Sequence, residues 1–330
     1  MTAKTIRVAL LGFGTVGQGI FEMIEGKKSA LSQLLNAEIE VPVIFVRDGG
    51  KKRGVPASTI VTNQWSDLLK TPNIDVVVEA IVGEEPAATY VSEWLGRGIP
   101  VITANKEMFS LHGERLKRQA QDNHTYIGYE ATTAGSIPVI RTISQLLKVN
   151  RIHKVEGILN GTTNYMLTYM REQGKEYEVA LEKAQQLGYA EADPTNDVDG
   201  FDAFYKLMIL CETIYGSQPV WNEVERRPLG SSLQELVPFV NEKLRLKYIA
   251  SAELVGDRII GSIRPTLVGP QHPLFAVEGV DNAIIIHTDL SGELTLRGPG
   301  AGKTATASIM LEELVAIFAK ENIPFAHNKG

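Results

Sequence analysis

The sequence IRVALLGFGTVG at residues 6–17 joins a continuous apolar run to three glycines with G-x-G-x-x-G spacing. Apolar residues at helical spacing follow, so the stretch has the pattern of a strand, a tight turn and a helix. In such a unit Gly12 forms the turn, Gly14 lets the backbone approach a pyrophosphate, and Gly17 lets the helix pack on the strand. The amides at the start of the helix then face the anion. The stretch therefore predicts a dinucleotide-binding domain.

Strand-like and helix-like segments alternate through the rest of the first 140 residues. The predicted elements are strands at 41–46, 74–78 and 100–103 and a helix at 86–95. This alternation is typical of an α/β protein with a Rossmann-type, doubly wound parallel sheet. We predict that residues 1–140 form this domain and that a helix at 304–320 returns to it.

The pattern changes between residues 141 and 303. A strand predicted at 155–159 leads through a polar loop at 160–164 to helices predicted from Tyr165 and at 177–187. Alternating, β-rich sequence runs from 248 to 296. Such alternation predicts a mixed or antiparallel sheet. We expect a second, α+β domain that binds substrate, carries the catalytic residues and pairs subunits.

Composition narrows the class of partner. The chain has 330 residues, a net charge of −6, a single cysteine and no long basic run. These features favour small-molecule partners over nucleic acid or a membrane surface. One cysteine excludes an internal disulfide framework, and the N-terminus lacks the apolar core of a signal peptide, so we expect a cytoplasmic protein.

The end of the second strand carries charged residues that bear on cofactor choice. Arg47 is followed by Asp48 and by the basic residues at 51–53. Basic side chains there would suit the ribose phosphate of NADP, whereas Asp48 could bind the ribose hydroxyls of NAD. A solvated loop is the alternative. The cofactor is therefore predicted as NADP or NAD.

Two further stretches follow predicted strands. In TANK (residues 103–106), Lys106 lies at the carboxyl edge of the sheet, where open α/β folds bind ligands, although a lysine at a helix start can also be an ordinary surface residue. In the small-residue turn at 130–138, Glu130 with main-chain carbonyls could hold a cation or could simply cap amides.

The segment GYAEADPTNDVDGFDAFYK (residues 188–206) is dense in carboxylates. A turn is predicted after Pro194, and Asp199 or Gly200 would cap an apolar helix. Asp202 and Lys206 then share one helix face, so the carboxylate can hold the ammonium. An isolated pair of this kind is usually an ordinary surface ion pair, but the acids upstream favour a functional site. The spacing does not match an EF-hand calcium loop.

Two other features invite functional interpretations that the sequence does not support. GPGAGKT (residues 298–304) lacks the first glycine of a Walker A motif, because Arg297 occupies that position. We predict instead a helix start near the cofactor. Cys211 lies in an apolar helical segment and is expected to be a buried structural residue, and the six histidines lack metal-ligand spacing.

Taken together, the motifs resemble those of homoserine dehydrogenases over nearly the whole chain. They are GFGTVG (12–17), TANK (103–106), YEATTAGSIP (129–138), GILNGTTNY (157–165), LGYAEADPTNDVDGFDAFYK (187–206) and GPGAGKTATAS (298–308). The resemblance implies NAD(P)-dependent interconversion of L-homoserine and L-aspartate 4-semialdehyde, in the biosynthesis of threonine, methionine and isoleucine. It also implies a homodimer.

The resemblance also implies residue roles. Lys206 would donate and accept the proton at the substrate oxygen, with Lys106 beside substrate and cofactor. Glu191 and Asp202 would bind homoserine, supported by Asp197. Besides the three glycines, Arg47 and Lys106, cofactor contacts are expected at Phe13, Thr15, Val16, Thr103, Gly188 and Gly302. A monovalent cation, usually sodium, would be held by Glu130 and by the main chain of Thr133, Gly135 and Ile137.

The sequence departs from the family pattern at Ser136, where many relatives have glycine, and at Lys303 and Thr304. It also ends soon after its last predicted helix, so we expect no regulatory ACT domain and no threonine feedback through one. Two alternatives stay open: another Rossmann-type reductase of amino-acid biosynthesis, and a non-catalytic nicotinamide-sensing protein. The spacing of Glu191, Asp202 and Lys206 favours the dehydrogenase over the other reductase. The presence of Lys106 with Asp202 and Lys206 favours it over the sensor.

Overall fold

The computed structural model describes residues 4–319. They divide into two compact units, residues 4–132 with 302–319, and residues 133–301. The divisions fall after Thr132 and Ala301, whereas the sequence suggested 140 and 303. Lys320, the last residue of the predicted returning helix, lies outside the described residues.

The first unit alternates strands and helices. Its strands are β1 (Lys4–Leu11), β2 (Ala37–Phe45), β3 (Ile60–Thr62), β4 (Val76–Glu79), β5 (Val101–Thr103) and β6 (Ile127–Gly128). Its helices are α1 (Thr15–Gly26), α2 (Lys28–Leu35), α3 (Trp65–Lys70), α4 (Ala87–Gly96), α5 (Lys106–Asp122) and α12 (Lys303–Phe318), with a 3₁₀ turn at Glu130–Thr132.

The first sheet has the order β3-β2-β1-β4-β5-β6, and every neighbouring pair is parallel. This is the strand order of a Rossmann fold, so the predicted fold class is confirmed. The chain runs outward from β1 through β2 to β3 and then crosses back to β4 on the other side of β1, which opens a crevice at the carboxyl ends of β1 and β4. Ligands of open α/β sheets bind at this switch point.

The core of this unit lies between the sheet and the helices α1 and α12. It includes Ile6, Val8 and Leu10 of β1 together with Ile20 of α1 and Leu314 of α12. A Cβ at Gly19 would lie 2.9 Å from the carbonyl oxygen of Lys303, so glycine is what allows the two helices to approach closely.

The second unit contains a mixed sheet with the order β12-β11-β7-β9-β10-β8, in which only the β8 and β10 pair is parallel. Its strands are β7 (Ile152–Ile158), β8 (Glu225–Arg226), β9 (Arg245–Val255), β10 (Arg258–Val268), β11 (Asp281–Thr288) and β12 (Glu293–Pro299). Its helices are α6 (Val139–Leu146), α7 (Gly161–Gln173), α8 (Tyr177–Gln186), α9 (Thr195–Val198), α10 (Phe201–Tyr215) and α11 (Leu233–Leu236).

Two predicted boundaries near the acidic segment were wrong. Helix α7 begins at Gly161 rather than Tyr165, because Asn160 Oδ1 accepts a hydrogen bond from the Thr163 amide and caps the helix. The turn predicted after Pro194 is the short helix α9, whose first amide donates to Asp193 Oδ1.

No helix among residues 4–319 is both long and apolar enough to cross a bilayer.

Candidate active site

The glycine-rich turn has the conformation that a dinucleotide site requires. Gly12 has φ +93°, and a Cβ there would lie 2.6 Å from the carbonyl oxygen of Ala80 in the turn after β4. Gly14 is the exposed N-cap of α1; it has no side-chain cap, and a Cβ there would meet no atom within 4 Å. Gly17 is buried against Gly12. The first amides of α1 thus border open space that can take a pyrophosphate.

Side chains around this turn are accessible to a ligand. Phe13 and Val16 are half-buried, and Thr15 is exposed at the start of α1. Arg47, just after β2, is exposed and forms no hydrogen bond or ion pair with the rest of residues 4–319. Asp48 Oδ1 instead accepts the Gly50 amide at 2.9 Å, so this carboxylate shapes its own loop.

Lys106 begins α5 at the carboxyl edge of the first sheet, as predicted. Asn105 caps that helix, since its Oδ1 accepts from the Met108 amide at 3.1 Å. The hydroxyl of Thr103 is buried and lies next to the carboxylate of Glu79 at the end of β4. Sequence reasoning missed Glu79, although a carboxylate that closes an apolar strand is itself an unusual signal.

In the second unit, the predicted ion pair on α10 is present and buried. Lys206 Nζ lies 2.8 Å from Asp202 Oδ2 and donates to the carbonyl oxygen of Leu159 at 2.7 Å. Lys206 is 7% exposed and Asp202 is 3% exposed. The spacing of four residues on one helix face brings the two groups together. Burial from water strengthens their electrostatic interaction.

Asn160 connects this ion pair to the acidic segment. Its Nδ2 donates to Asp197 Oδ1 at 2.7 Å and to Asp202 Oδ2 at 2.9 Å. Its Oδ1 accepts from the Thr163 amide at the start of α7. One side chain thus brings together two carboxylates that would otherwise repel each other. The sequence suggested a polar loop at Asn160 but not this bridge.

Two residues of the acidic segment lie outside this cluster. Glu191 is exposed, and its carboxylate forms no hydrogen bond or ion pair with other described residues. Gly188 is also exposed, with φ +74°, and its amide donates to Gln185 at the end of α8. Gly188 is thus explained locally as the left-handed residue that ends a helix.

The residues predicted to hold a cation are divided between the two units. Glu130 is 4% exposed, and its amide donates to Glu313 Oε1 at 3.2 Å. In the second unit, Gly135 has φ +59°, which bends the chain carrying the carbonyls of Thr133, Gly135 and Ile137. A carboxylate with main-chain carbonyls is a hard donor set that fits an alkali cation. Residues 4–319 contain no cluster of three or more His, Cys, Asp or Glu suited to a metal.

The remaining predicted residues have clear local environments. Gly302 has φ +114° at the start of α12, and the space beside it is open. Cys211 is fully buried, and burial raises the pKa of its thiol, which confirms a structural cysteine.

Comparisons with known proteins match nearly the whole chain to one family. A family model described as "Homoserine dehydrogenase" matches residues 138–315, and one described as "Homoserine dehydrogenase, NAD binding domain" matches residues 12–130. A homoserine dehydrogenase of Lactococcus lactis subsp. lactis is 37% identical over 323 residues, which cover 96% of this chain and 75% of the relative.

Solved structures lead to the same family. A homoserine dehydrogenase from Thiobacillus denitrificans has a TM-score of 0.88 and 33% identity, covering 99% of this chain and 76% of that one. A hyperthermophilic archaeal homoserine dehydrogenase in complex with NADPH has a TM-score of 0.81 and 29% identity, covering 96% of this chain and 98% of that one. The chain therefore belongs to the homoserine dehydrogenase family and is an NAD(P)-dependent oxidoreductase.

Proposed function

We propose that Lys206 donates and accepts the proton at the terminal oxygen as this enzyme interconverts L-homoserine and L-aspartate 4-semialdehyde. The observation that carries the proposal is the buried position of the Lys206 ammonium, 2.8 Å from Asp202 Oδ2 and 2.7 Å from the Leu159 carbonyl oxygen. These two contacts fix the ammonium in a polar cluster that is otherwise made of carboxylates and an amide.

The chemistry needs a proton carrier of this kind. Oxidation of the terminal alcohol removes a hydride from carbon and a proton from oxygen. Bound NAD(P)⁺ supplies the hydride acceptor at C4 of its nicotinamide. The Lys206 amine takes the hydroxyl proton in this direction, and in the reverse direction its ammonium stabilises and protonates the alkoxide.

Carboxylates of the acidic segment would bind the substrate's α-amino group. Glu191 is exposed and its carboxylate forms no hydrogen bond or ion pair with other described residues, so this carboxylate is available to a cationic ligand. Asp202 is fixed next to Lys206, and Asp197 shares the Asn160 amide with it. We assign substrate binding to Glu191 and Asp202, with Asp197 in support.

The cofactor site takes NAD or NADP. We place the pyrophosphate at Gly12, Gly14 and Gly17, where the amides of α1 border open space. Arg47 is exposed after β2, the position that meets the adenosine ribose in this fold, and would bind a ribose phosphate. The archaeal relative in complex with NADPH supports NADP as one substrate. Contacts are also assigned to Phe13, Thr15, Val16, Thr103, Lys106, Gly188 and Gly302.

A monovalent cation, sodium, is proposed at Glu130 and the carbonyls of Thr133, Gly135 and Ile137. The support is the chemistry of the donor set, which is all oxygen and carries a single carboxylate. Such a cation would fix the turn that leads into α6.

We further propose a cytoplasmic homodimer that serves threonine, methionine and isoleucine biosynthesis, without nucleic-acid or membrane partners. The support for pairing is the second sheet, where Val255 and Ile260 lie on the same face of β9 and β10. They are 52% and 58% exposed. Exposed apolar side chains on one sheet face are candidate contacts between subunits.

Replacement of Lys206 tests the proposed role. Lys206→Ala is expected to lower kcat for homoserine oxidation by roughly a hundredfold or more, because general acid and base catalysis contributes that much. NADPH affinity should change little, since the substitution removes no group of the first unit. Steady-state rates and NADPH fluorescence titration measure the two effects.

Lys247→Met is the matched control. Lys247 is another buried lysine of the second unit and is paired with a carboxylate, Glu278, at 3.2 Å. The kcat of Lys247→Met should stay near that of the wild-type enzyme.

Retention of wild-type kcat by Lys206→Ala would transfer the proton role to another group, first to Lys106. Turnover with a different hydroxy amino acid alone would favour another reductase, and cofactor binding without any turnover would favour a sensor.

A further inference from the structure

Glu79 occupies the switch point of the first sheet. It is the last residue of β4, is fully buried, and pairs in register with Leu11 at the end of β1. The next amide, that of Ala80, donates to the Leu11 carbonyl at 2.8 Å, and the Glu79 carbonyl accepts from the Ala104 amide at 3.1 Å. The main chain at Glu79 therefore connects the strands that precede the glycine-rich turn and the Lys106 turn.

The Glu79 side chain connects the turn after β4 to the end of β5, just before the Lys106 turn. Its Oε1 accepts from the Ile81 amide at 2.5 Å, and its Oε2 accepts from the Thr103 hydroxyl at 2.5 Å. The Thr103 hydroxyl in turn accepts from the Asn105 amide at 3.0 Å. The carboxylate thus reaches the residue that caps the helix of Lys106 through a single hydroxyl.

Asn105 closes the network. Its Nδ2 donates to the Gly83 carbonyl in the turn after β4 at 2.7 Å, while its Oδ1 caps α5. The turn at 80–83 and the turn at 104–106 are therefore joined at both ends. The turn at 80–83 also lies against Gly12, since a Cβ there would meet the Ala80 carbonyl.

We propose that Glu79 is the positioning residue of the cofactor half of the active site, holding the turn after β4 and the Lys106 turn in the arrangement that binds NAD(P). The inference rests on the proposed role of these turns in cofactor binding.

Burying the Glu79 carboxyl group costs folding free energy, and this cost supports a functional explanation for the residue. Burial raises the pKa of Glu79 to about 7, and the hydrogen bonds from Thr103, Ile81 and Asn105 offset only part of that effect. An apolar residue would complete the strand without desolvating a carboxyl group. What an apolar residue cannot do is accept both the Ile81 amide and the Thr103 hydroxyl.

Two Glu79 variants test the proposal with NADPH fluorescence titration and steady-state rates. Glu79→Ala deletes both side-chain bonds and should weaken NADPH binding about tenfold while also lowering kcat with homoserine. Glu79→Gln keeps the size, accepts from Ile81 through its oxygen and donates to Thr103 through its nitrogen. We expect it to bind NADPH within about threefold of wild type.

Asp75→Ala is the matched control at the amino end of the same strand, where Asp75 Oδ2 accepts the Arg7 amide at 2.8 Å. It should lose stability and keep wild-type NADPH affinity. If Glu79→Ala does not fold, Asn105→Ser keeps the cap of α5, removes the bond to the Gly83 carbonyl and should give a similar loss. The proposal would be overturned if Glu79→Ala bound NADPH as tightly as Asp75→Ala does. It would also be overturned if Glu79→Gln bound NADPH no more tightly than Glu79→Ala.

Failure here and failure of the Lys206 proposal are distinguishable. Glu79→Ala should raise the NADPH dissociation constant, whereas Lys206→Ala should leave that constant near wild type and change the rate of the chemical step.

Discussion

At the residue scale, Asn160 organises the polar cluster around Lys206. Its amide nitrogen donates to both Asp197 and Asp202, and its oxygen caps α7. A buried hydrogen bond to a charged group contributes more than a neutral one, and loss of the donor leaves the charge unsatisfied. Asn160 is therefore expected to matter for activity as well as for folding.

Asn160→Ser separates these two contributions. Serine is as good an N-cap as asparagine, so the free energy of unfolding should fall only by the cost of the lost carboxylate bonds, roughly 1–3 kcal/mol. Serine cannot reach both carboxylates, so kcat/KM for homoserine should fall about tenfold, with NADPH affinity unchanged. Urea denaturation and steady-state kinetics measure the two effects. Wild-type kcat/KM in a correctly folded Asn160→Ser would show that the bridge has no role in catalysis.

Single residues could be predicted only where their partner is near in sequence. The contact between Asp202 and Lys206 follows from a spacing of four on one helix. The partners of Asn160 lie 37 and 42 residues away, and that of Glu79 lies 24 residues away. Such contacts depend on how the strands and helices pack, which the pattern of one sequence does not specify.

At the element scale, α10 determines where Lys206 lies. The helix is flanked by Gly200 with φ +80° and by Gly216 with φ +73°. The two ends differ in their surroundings. A Cβ at Gly200 would overlap the Tyr248 hydroxyl, which donates to the Arg227 carbonyl at 2.7 Å, whereas no atom lies within 4 Å of one at Gly216.

Alanine at each end of α10 measures this difference. Gly216→Ala should cost about 1–2 kcal/mol of unfolding free energy, the usual cost of left-handed backbone in a residue with a Cβ. Gly200→Ala should cost more, because Tyr248 must also move. In Gly200→Ala the same movement should displace Lys206 and lower kcat, whereas Gly216→Ala should keep the wild-type kcat. Equal losses of stability in the two variants would contradict the packing argument.

Elements with strong periodicity could be predicted, and short or capped ones could not. The strand at residues 6–11 and the helix at 177–187 were placed to within a few residues. Helices α2 and α3 and strand β3 were missed, since they are short and stabilised by packing on β2. The start of α7 depends on the Asn160 cap. Because residues 161–164 have weak helix propensity, the sequence did not indicate that the helix begins there.

At the scale of the whole molecule, the order of elements was enough to give the fold class. Alternating strands and helices after G-x-G-x-x-G predicted a doubly wound sheet, and the strand order β3-β2-β1-β4-β5-β6 confirms it. The alternating sequence from 248 to 296 predicted a mixed or antiparallel sheet, which is also present. The parallel pairing of β8 with β10 was not predictable, because β8 has two residues.

The most direct test of homoserine dehydrogenase activity is the initial rate of NAD⁺ and NADP⁺ reduction with L-homoserine in the presence of sodium, followed by nicotinamide absorbance. L-Serine and L-threonine serve as comparison substrates. We predict reduction that depends on homoserine, with at least one of the two cofactors. Measurable NADPH binding with no homoserine-dependent reduction of either cofactor would contradict this activity.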